Sequence, residues 1–260
     1  MEEEFGKETL VKERPKLTPE GEAWFSSTGP AEIARQLSGG MLHLLNNKLI
    51  PVQGYLELGL LDLPKDVSGK ARRDFQTSHE GVRNIVGTLK KVEGLNGVCR
   101  IEEYKFLETS ANAIVKEAGK FLPDGKEPLK IEISGENGLY VDKENFSFAL
   151  AGLFTNSLEA GASKVEVGVS KEGGENILEI TDNGEGISLS EEEMFGLKSS
   201  TREENGGLQL LSTGLFIAKT VVLACGGSIE VHNRKDLGEE ESGARVSIRL
   251  PAVKNPQKDL

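Results

Sequence analysis

Two long runs of apolar residues at helical spacing mark the first third of the chain. Over residues 33–63 the apolar positions recur at steps of three and four, and Pro64 follows them. After a polar loop a second such run covers residues 75–92 and stops near Gly94. Steps of three and four place apolar side chains on one face of a helix. The pattern therefore predicts a hairpin of two amphipathic helices over residues 31–98.

Two helices joined by a short loop cannot enclose an apolar core alone, and pairing with a second copy is the economical solution. We therefore expect a homodimer in which two hairpins form a four-helix bundle. Pro51 lies inside the first helix, where proline removes a backbone hydrogen bond and costs about 3 kcal/mol, so we expect a kink there. Residues 1–30 are charged and contain three prolines, which predicts an arm or linker with one short helical piece around Trp24.

After residue 101 the pattern changes to mixed helix and strand. Alternating apolar positions predict strands, and longer apolar runs predict helices. We expect these strands to meet through hairpins with the helices on one side, which is an α+β sandwich, here over residues 102–254. The predicted helices cover 107–121, 144–162 and 213–227, and the predicted strands cover 129–134, 164–170, 176–182, 228–233 and 244–250.

Composition narrows the possible partners and the compartment. The 260 residues carry a formal net charge of −11, which argues against a nucleic-acid partner, and 37% hydrophobic residues are ample for a packed core. The two cysteines stand far apart without metal-ligand spacing, as expected in a reducing cytosol. Neither a signal peptide nor a run of ~20 apolar residues is visible, so we expect a cytoplasmic chain without a membrane segment, or a fragment of a larger sensor.

Polar residues interrupt the apolar pattern of the second domain at four places. Asn156 puts an amide among hydrophobic neighbours, where a buried polar group needs a partner. Asp182 ends a strand and is followed by Gly184 and Gly186, a spacing that permits positive φ and close approach of a ligand to the backbone. Taken singly, an internal hydrogen bond is the better explanation of Asn156, and a tight turn is the better explanation of the segment after Asp182.

The other two places lie further along the chain. Phe195 precedes a hydroxyl-rich, basic segment, and residues 204–219 form a glycine-rich stretch that runs into a helix. The exposed N–H groups of a helix N-terminus suit a phosphate chain. Ser212 and Thr213 are available there for such a chain, and the candidate ligand-binding residues of the segment after Phe195 are Ser200, Thr201 and Arg202.

In this order the four segments resemble the ATP-binding boxes of the Bergerat-fold superfamily (GHKL), which includes histidine kinases, gyrase B, Hsp90 and MutL. The resemblance implies binding of ATP with Mg²⁺. It implies that Asn156 is a magnesium ligand, and that Asp182 is the adenine-binding acid of a DxGxG box with Gly184 and Gly186. It also assigns Phe195 to the aromatic box, and Gly214 and Leu215 to the end of the second glycine box.

The segment HLLNNKLIPVQGYLELG, which starts at His43, is similar to the phosphoacceptor helix of histidine kinases. None of the other superfamily members carries a helical hairpin before the ATP domain. The resemblance implies a two-component histidine kinase that phosphorylates His43 and passes phosphate to an aspartate on a response-regulator receiver domain. In the family a polar residue at the position of Asn47 positions a water that dephosphorylates the receiver.

The spacing of residues along the helix predicts, independently of the resemblance, which way the His43 side chain points. It stands two residues from Met41 and from Leu45, so at 100° per residue it points about 200° away from the predicted buried stripe. An exposed imidazole is mostly unprotonated at neutral pH and can act as a nucleophile. His79 and His232 have no motif around them, and we interpret both as structural.

Two positions depart from the family pattern. Leu44 occupies the place where histidine kinases carry an acid, and Gly152 the place where gyrase B, Hsp90 and MutL carry a glutamate. General-base help is worth about 10²–10⁴-fold, so the hypothesis of rapid autophosphorylation is weakened. A kinase-like histidine phosphotransferase or phosphatase with little autokinase activity is the alternative. An ATP-driven clamp of the Hsp90 type is disfavoured by Gly152 and by the hairpin.

Overall fold

A computed structural model describes residues 14–26, 39–64, 67–122, 129–135, 138–188, 194–195, 198–200, 209–211 and 213–252. The described residues fall into two units. Residues 39–100 form the first, and residues 14–26 together with 101–252 form the second. Within the described part no helix is both long and apolar enough to cross a membrane.

The elements follow in chain order. The helices are α1 (Pro19–Ser26), α2 (Gly39–Asp62), α3 (Gly69–Cys99), α4 (Ala111–Gly119), α5 (Lys143–Glu159) and α6 (Thr213–Ala224), with two short 3₁₀ turns at Ile101–Glu103 and Arg234–Leu237. The strands are β1 (Phe106–Ser110), β2 (Lys130–Ser134), β3 (Gly138–Asp142), β4 (Lys164–Glu172), β5 (Glu175–Asp182), β6 (Lys198–Ser200), β7 (Gln209–Leu211), β8 (Ser228–Asn233) and β9 (Ala244–Pro251).

The first unit is a hairpin of α2 and α3, which pack against each other. Ser68 caps α3 by accepting a hydrogen bond from the backbone N–H of Ala71 at 3.2 Å. Gly59 of α2 lies against the ring of Phe75 on α3, and a methyl group at Gly59 would come within 2.8 Å of that ring. Glycine at position 59 thus lets α2 and α3 approach each other closely beside Phe75. The α2 helix continues through Pro51.

The second unit contains a five-stranded sheet in the order β2-β4-β5-β9-β8, packed with α4, α5 and α6. β2 and β4 pair in parallel, and the other neighbours pair antiparallel. Along β9 the burial alternates, as the sequence pattern predicts for a strand with one face on the core. The largest fully buried side chains of this unit come from both layers and include Ile114, Phe146, Phe154, Leu178, Leu223 and Ile248.

The predicted helix over 107–121 is wrong in its first part. Residues 106–110 form β1, which pairs antiparallel with β3, and α4 begins only at Ala111. Ser110 caps α4 by accepting from the backbone N–H of Ala113 at 3.1 Å. The partner of β1 lies some thirty residues further along the chain, so the local pattern carried no sign of the pairing.

The expectation that the sheet strands meet through hairpins also fails at one edge. β2 and β4 are parallel, and the chain between them contains β3 and α5. Parallel neighbours require a crossover connection, because a tight turn can join only antiparallel strands. This crossover carries α5, the helix in which Asn156 lies, across the sheet.

Candidate functional site

Asp182 lies at the end of β5 and is 8% exposed. One carboxylate oxygen, Oδ1, accepts hydrogen bonds from the backbone N–H groups of Gly184 at 2.9 Å and Ala244 at 3.1 Å. The other, Oδ2, accepts from the Ser157 hydroxyl at 2.9 Å. A carboxylate oxygen has two lone pairs, so Oδ2 has capacity for one more donor, such as an amino group.

The turn after Asp182 is held by close contacts with the protein itself. Gly186 has φ +86°, and a methyl group there would lie 2.5 Å from Oδ1 of Asn233. A methyl group on Gly184 would lie 2.8 Å from the carbonyl oxygen of Ala160. Sequence reasoning expected these glycines to give a ligand close access to the backbone. In the structure their nearest neighbours are protein atoms, which make the turn rigid.

Asn233, at the end of β8, makes two hydrogen bonds with the backbone at the end of this turn. Its Oδ1 accepts from the backbone N–H of Ile187 at 2.7 Å, and its Nδ2 donates to the carbonyl oxygen of the same residue at 3.0 Å. Arg234 donates to the carbonyl oxygen of Asp182 at 3.4 Å. Its hydrogen bond with Glu239, at 2.7 Å, is the largest cause that raises the pKa of this guanidinium further. Together these side chains fix where the turn lies.

Asn156 and Gly214 bring two predicted boxes together. A methyl group on Gly214 would lie 2.9 Å from both amide heavy atoms of Asn156, and 2.7 Å from the carbonyl oxygen of Gly152. Conversely, a methyl group on Gly152 would lie 3.0 Å from the Cα of Gly214. Helices α5 and α6 therefore touch through backbone at this level. This contact explains why a glycine stands at position 152, where gyrase B, Hsp90 and MutL carry a glutamate.

Phe195 is buried, and the ammonium of Lys219 on α6 lies 4.6 Å from the centre of its ring. Ser200 is in β6 and pairs with Gln209 of β7, while Thr213 is the first residue of α6. Leu215 follows the buried Gly214 and is half-buried.

Several predicted site residues fall outside what the structure describes. Thr201, Arg202 and Ser212 are among these. For His43 and Asn47 the backbone lies within α2, but the side chains of residues 39–48 are outside the described set. The predicted solvent-facing position of His43 therefore stays a prediction.

The candidate site has hydrogen-bond donors and acceptors that suit a nucleotide, and it has one side-chain amide oxygen that suits magnesium. Within the described residues no cluster of three His, Cys, Asp or Glu side chains is suited to a metal ion. Mg²⁺ prefers oxygen ligands and keeps several waters and substrate phosphates, so it needs few protein ligands. The half-buried amide of Asn156, beside the start of α6, supplies one such oxygen. The residues present therefore fit magnesium carried by a bound phosphate chain.

Sequence reasoning missed Ser157 and Asn233. Ser157 directly follows Asn156 and is buried, so a second polar residue in an apolar helix was the available signal. Asn233 gave no local signal, because its partner Ile187 is 46 residues away.

A cavity of about 410 Å³ also opens beside Asp182 on the β4 and β5 side. Its lining includes Lys164, Glu166, Arg234 and Glu241, and it does not include Asn156 or Phe195. Its charges are already paired, with Lys164 2.5 Å from Glu166 and Arg234 2.7 Å from Glu241. We therefore place the candidate site on the Asn156 side of Asp182.

Part of the second unit matches a known protein family, and the chain is similar to several known proteins. Residues 141–254 match the family described as "Histidine kinase-, DNA gyrase B-, and HSP90-like ATPase". The chain is 25% identical to the sensor protein KdpD of Escherichia coli over 253 residues, which is 94% of this chain and 27% of the relative. It is 28% identical to the methanogenesis regulatory histidine kinase FilI of Methanothrix harundinacea over 221 residues, which is 80% of this chain and 24% of that protein.

Among solved structures, the Acinetobacter baumannii histidine kinase AdeS matches with a TM-score of 0.51 at 18% identity, over 79% of this chain and 95% of that one. This likeness shows a shared fold. The chain spans about a quarter of the length of the two curated relatives above.

Proposed function

We propose that this chain is a sensor histidine kinase catalytic core, in which residues 141–254, the part that matches the ATPase family, form the ATP-binding domain. The second unit binds ATP with Mg²⁺. The γ-phosphoryl group passes to His43 on the hairpin, and from there to an aspartate on a receiver domain. The observation that carries the proposal is that α5 links the two halves of the site. Asn156 lies beside Gly214 at the start of α6, and the next residue, Ser157, donates to Asp182.

Each proposed role follows from the chemistry of the group. The Oδ2 of Asp182 accepts the exocyclic amino group of adenine, since it is held by Ser157 and can accept a second donor. Gly184 and Gly186 shape the turn beside the base. The amide oxygen of Asn156 binds Mg²⁺.

The phosphate chain lies at the N-terminus of α6, where Thr213, Gly214 and Leu215 present backbone N–H groups and the positive end of the helix dipole. We assign the remaining contacts with the nucleotide to the aromatic box and the segment after it. These residues are Phe195, Ser200, Thr201, Arg202 and Ser212.

The chemical step exchanges one bond to phosphorus for another. A nitrogen of the His43 imidazole forms the P–N bond, the P–O bond to ADP breaks, and the imidazole proton leaves to solvent. Leu44 cannot accept that proton, so positioning and charge neutralisation supply most of the rate. Mg²⁺ neutralises phosphate charge when it is bound. Asn47, one helical turn after His43, positions water for dephosphorylation of the receiver.

We also propose that the hairpin dimerises to a four-helix bundle. It leaves apolar side chains uncovered, which a second copy would bury. The exposed fractions are 51% for Ile50, 57% for Leu58, 81% for Leu61 and 49% for Ile85.

The test is incubation with γ-labelled ATP and Mg²⁺. We expect an acid-labile, base-stable label that is lost in His43→Ala and kept in His232→Ala, whose side chain is exposed on β8. Absence of label in a protein that ATP still protects against thermal unfolding would contradict the autokinase. That result would favour the phosphotransferase alternative, which Leu44 motivates and which a phosphorylated receiver domain would then test.

A further inference from the structure

Residues 14–26, called the strap below, lie along one face of α6. The indole N–H of Trp24 donates to the Thr220 hydroxyl at 3.1 Å, and its ring centre is 5.3 Å from that of Phe216. The carboxylate of Glu20 lies 2.8 Å from the ammonium of Lys219. The strap therefore meets residues three or four positions apart, which share a face of the helix.

The contact is close along the backbone as well. Gly21 is buried, and a methyl group there would lie 3.5 Å from the carbonyl oxygen of Leu223. Gly226, just after α6, has φ +71°, and a methyl group on it would lie 2.6 Å from the carbonyl oxygen of Lys16. The guanidinium of Arg14 donates to the carbonyl oxygen of Glu102. The strap is thus docked along α6 from Phe216 to Gly226, just after the end of the helix.

Lys219 links the strap to the candidate site. Its ammonium lies 5.3 Å from the ring centre of Trp24 and 4.6 Å from that of Phe195, and its side chain is only 14% exposed. A cation over an aromatic ring gains about 0.5–1 kcal/mol when exposed and about 2 kcal/mol when desolvated. With Glu20 as its counter-ion, this lysine has a defined position between the strap and Phe195.

We propose that the strap is a positioning element for the nucleotide site. Glu20 and Trp24 hold Lys219 over Phe195, and this joins the aromatic box to the helix that begins beside Gly214. The inference rests on the proposed binding of ATP at Asp182 and Asn156. Because Lys219 contacts both the strap and Phe195, a change that displaces the strap should lower nucleotide affinity.

The first experiment titrates Mg-ADP into the full chain by calorimetry. We expect Glu20→Gln and Lys219→Met each to raise Kd about three- to tenfold, as loss of one ion-pair and cation–π arrangement implies. The double variant should bind Mg-ADP as weakly as the weaker-binding single variant and no more weakly. The reason is that each substitution alone already breaks the same Glu20–Lys219 ion pair, so the two effects do not add. The matched control is Glu22→Gln, on the same helix and exposed, which should bind as the unsubstituted chain does.

The second readout is Trp24 itself, the single tryptophan of the chain. Mg-ADP should change its emission, and Asp182→Asn should move that change to Mg-ADP concentrations about tenfold higher or more. If the unsubstituted chain binds Mg-ADP, while both single variants bind like Glu22→Gln and the emission stays constant, the strap has no positioning role and the proposed function stands. If the unsubstituted, folded chain does not bind Mg-ADP, both proposals fall.

Discussion

Gly152 and Gly214 meet backbone to backbone where α5 crosses α6. A methyl group on the second would lie 2.7 Å from the carbonyl oxygen of the first. This close approach sets the amide of Asn156 beside the start of α6, where we place the phosphate chain. A side chain at either glycine would have to separate the two helices.

Gly214→Ala should therefore lower both stability and nucleotide binding. Overpacking a tight contact costs about 1–3 kcal/mol, and here the opposing atoms include backbone, which yields little. Thermal unfolding with and without Mg-ADP measures both effects. Gly119→Ala is the control, because a methyl group at Gly119 would meet no atom within 4 Å. Equal melting temperatures for the two variants would show that the helices adjust freely.

Asp182→Asn should fold but bind nucleotide poorly. Asparagine keeps an oxygen for the N–H groups of Gly184 and Ala244, but it presents a donor where adenine needs an acceptor. Losing a hydrogen bond to a charged group costs about 1.5–3 kcal/mol, which is about tenfold or more in Kd. Calorimetric titration of Mg-ADP is the measurement.

Asp142→Asn is the matched control for that variant. Asp142 is also buried and accepts from two backbone N–H groups, those of Lys105 at 2.6 Å and Asn145 at 2.9 Å. It caps the N-terminus of α5, at the end opposite Ser157 and Asp182, so its replacement should lower the melting temperature and leave Kd unchanged. An equal rise of Kd in both variants would argue that Asp182 acts through stability alone.

Both cysteine thiols should react slowly in the native protein. Burial raises the pKa of Cys99 to about 11, and burial with the nearby Asp142 charge raises the pKa of Cys225 beyond the ordinary range. Only the thiolate reacts, so Cys99 should gain reactivity as the pH rises toward its folded pKa. Thiol titration with a chromogenic disulfide should give rapid reaction of both thiols only after denaturation. Rapid native labelling of Cys225 at pH 8 would contradict its burial.

The raised pKa values of the two thiols also make the stability of the folded protein depend on pH. A raised folded pKa means that each thiol favours the folded state below its unfolded pKa of about 8.5. That contribution is lost as the pH rises toward the folded value. Melting temperatures measured between pH 7 and 11 should therefore fall, and fall less when Cys99 is replaced by serine.

Leu61→Lys should weaken the proposed dimer. Leu61 is the most exposed of the large apolar side chains that the structure describes on α2, and a charge there would remain unpaired once a second copy covered it. Sedimentation should give twice the chain mass of 28.1 kDa for the unsubstituted protein and a shift toward one chain for the variant. Leu237→Lys, at an exposed apolar position in the other unit, should leave the mass unchanged. A monomer before substitution would contradict the four-helix bundle.

The sequence by itself determined the elements whose signal is local. Apolar spacing predicted α2 and α3, and alternation predicted β4, β5, β8 and β9, because each pattern is contained within the element it specifies. The resemblance to the ATP-binding boxes pointed to Asn156 and Asp182, the two polar side chains around which the candidate site is built.

Only the tertiary structure decided what joins these elements. It paired β1 with β3, made β2 and β4 parallel, set Gly152 against Gly214, and placed Trp24 on Thr220, 196 residues away. These contacts depend on how packed layers meet, and no local pattern encodes the partner of a residue so distant in the chain. Asp182 could thus be proposed as the adenine-binding acid from its motif, whereas its hydrogen bonds from Ser157 and Ala244 required the fold.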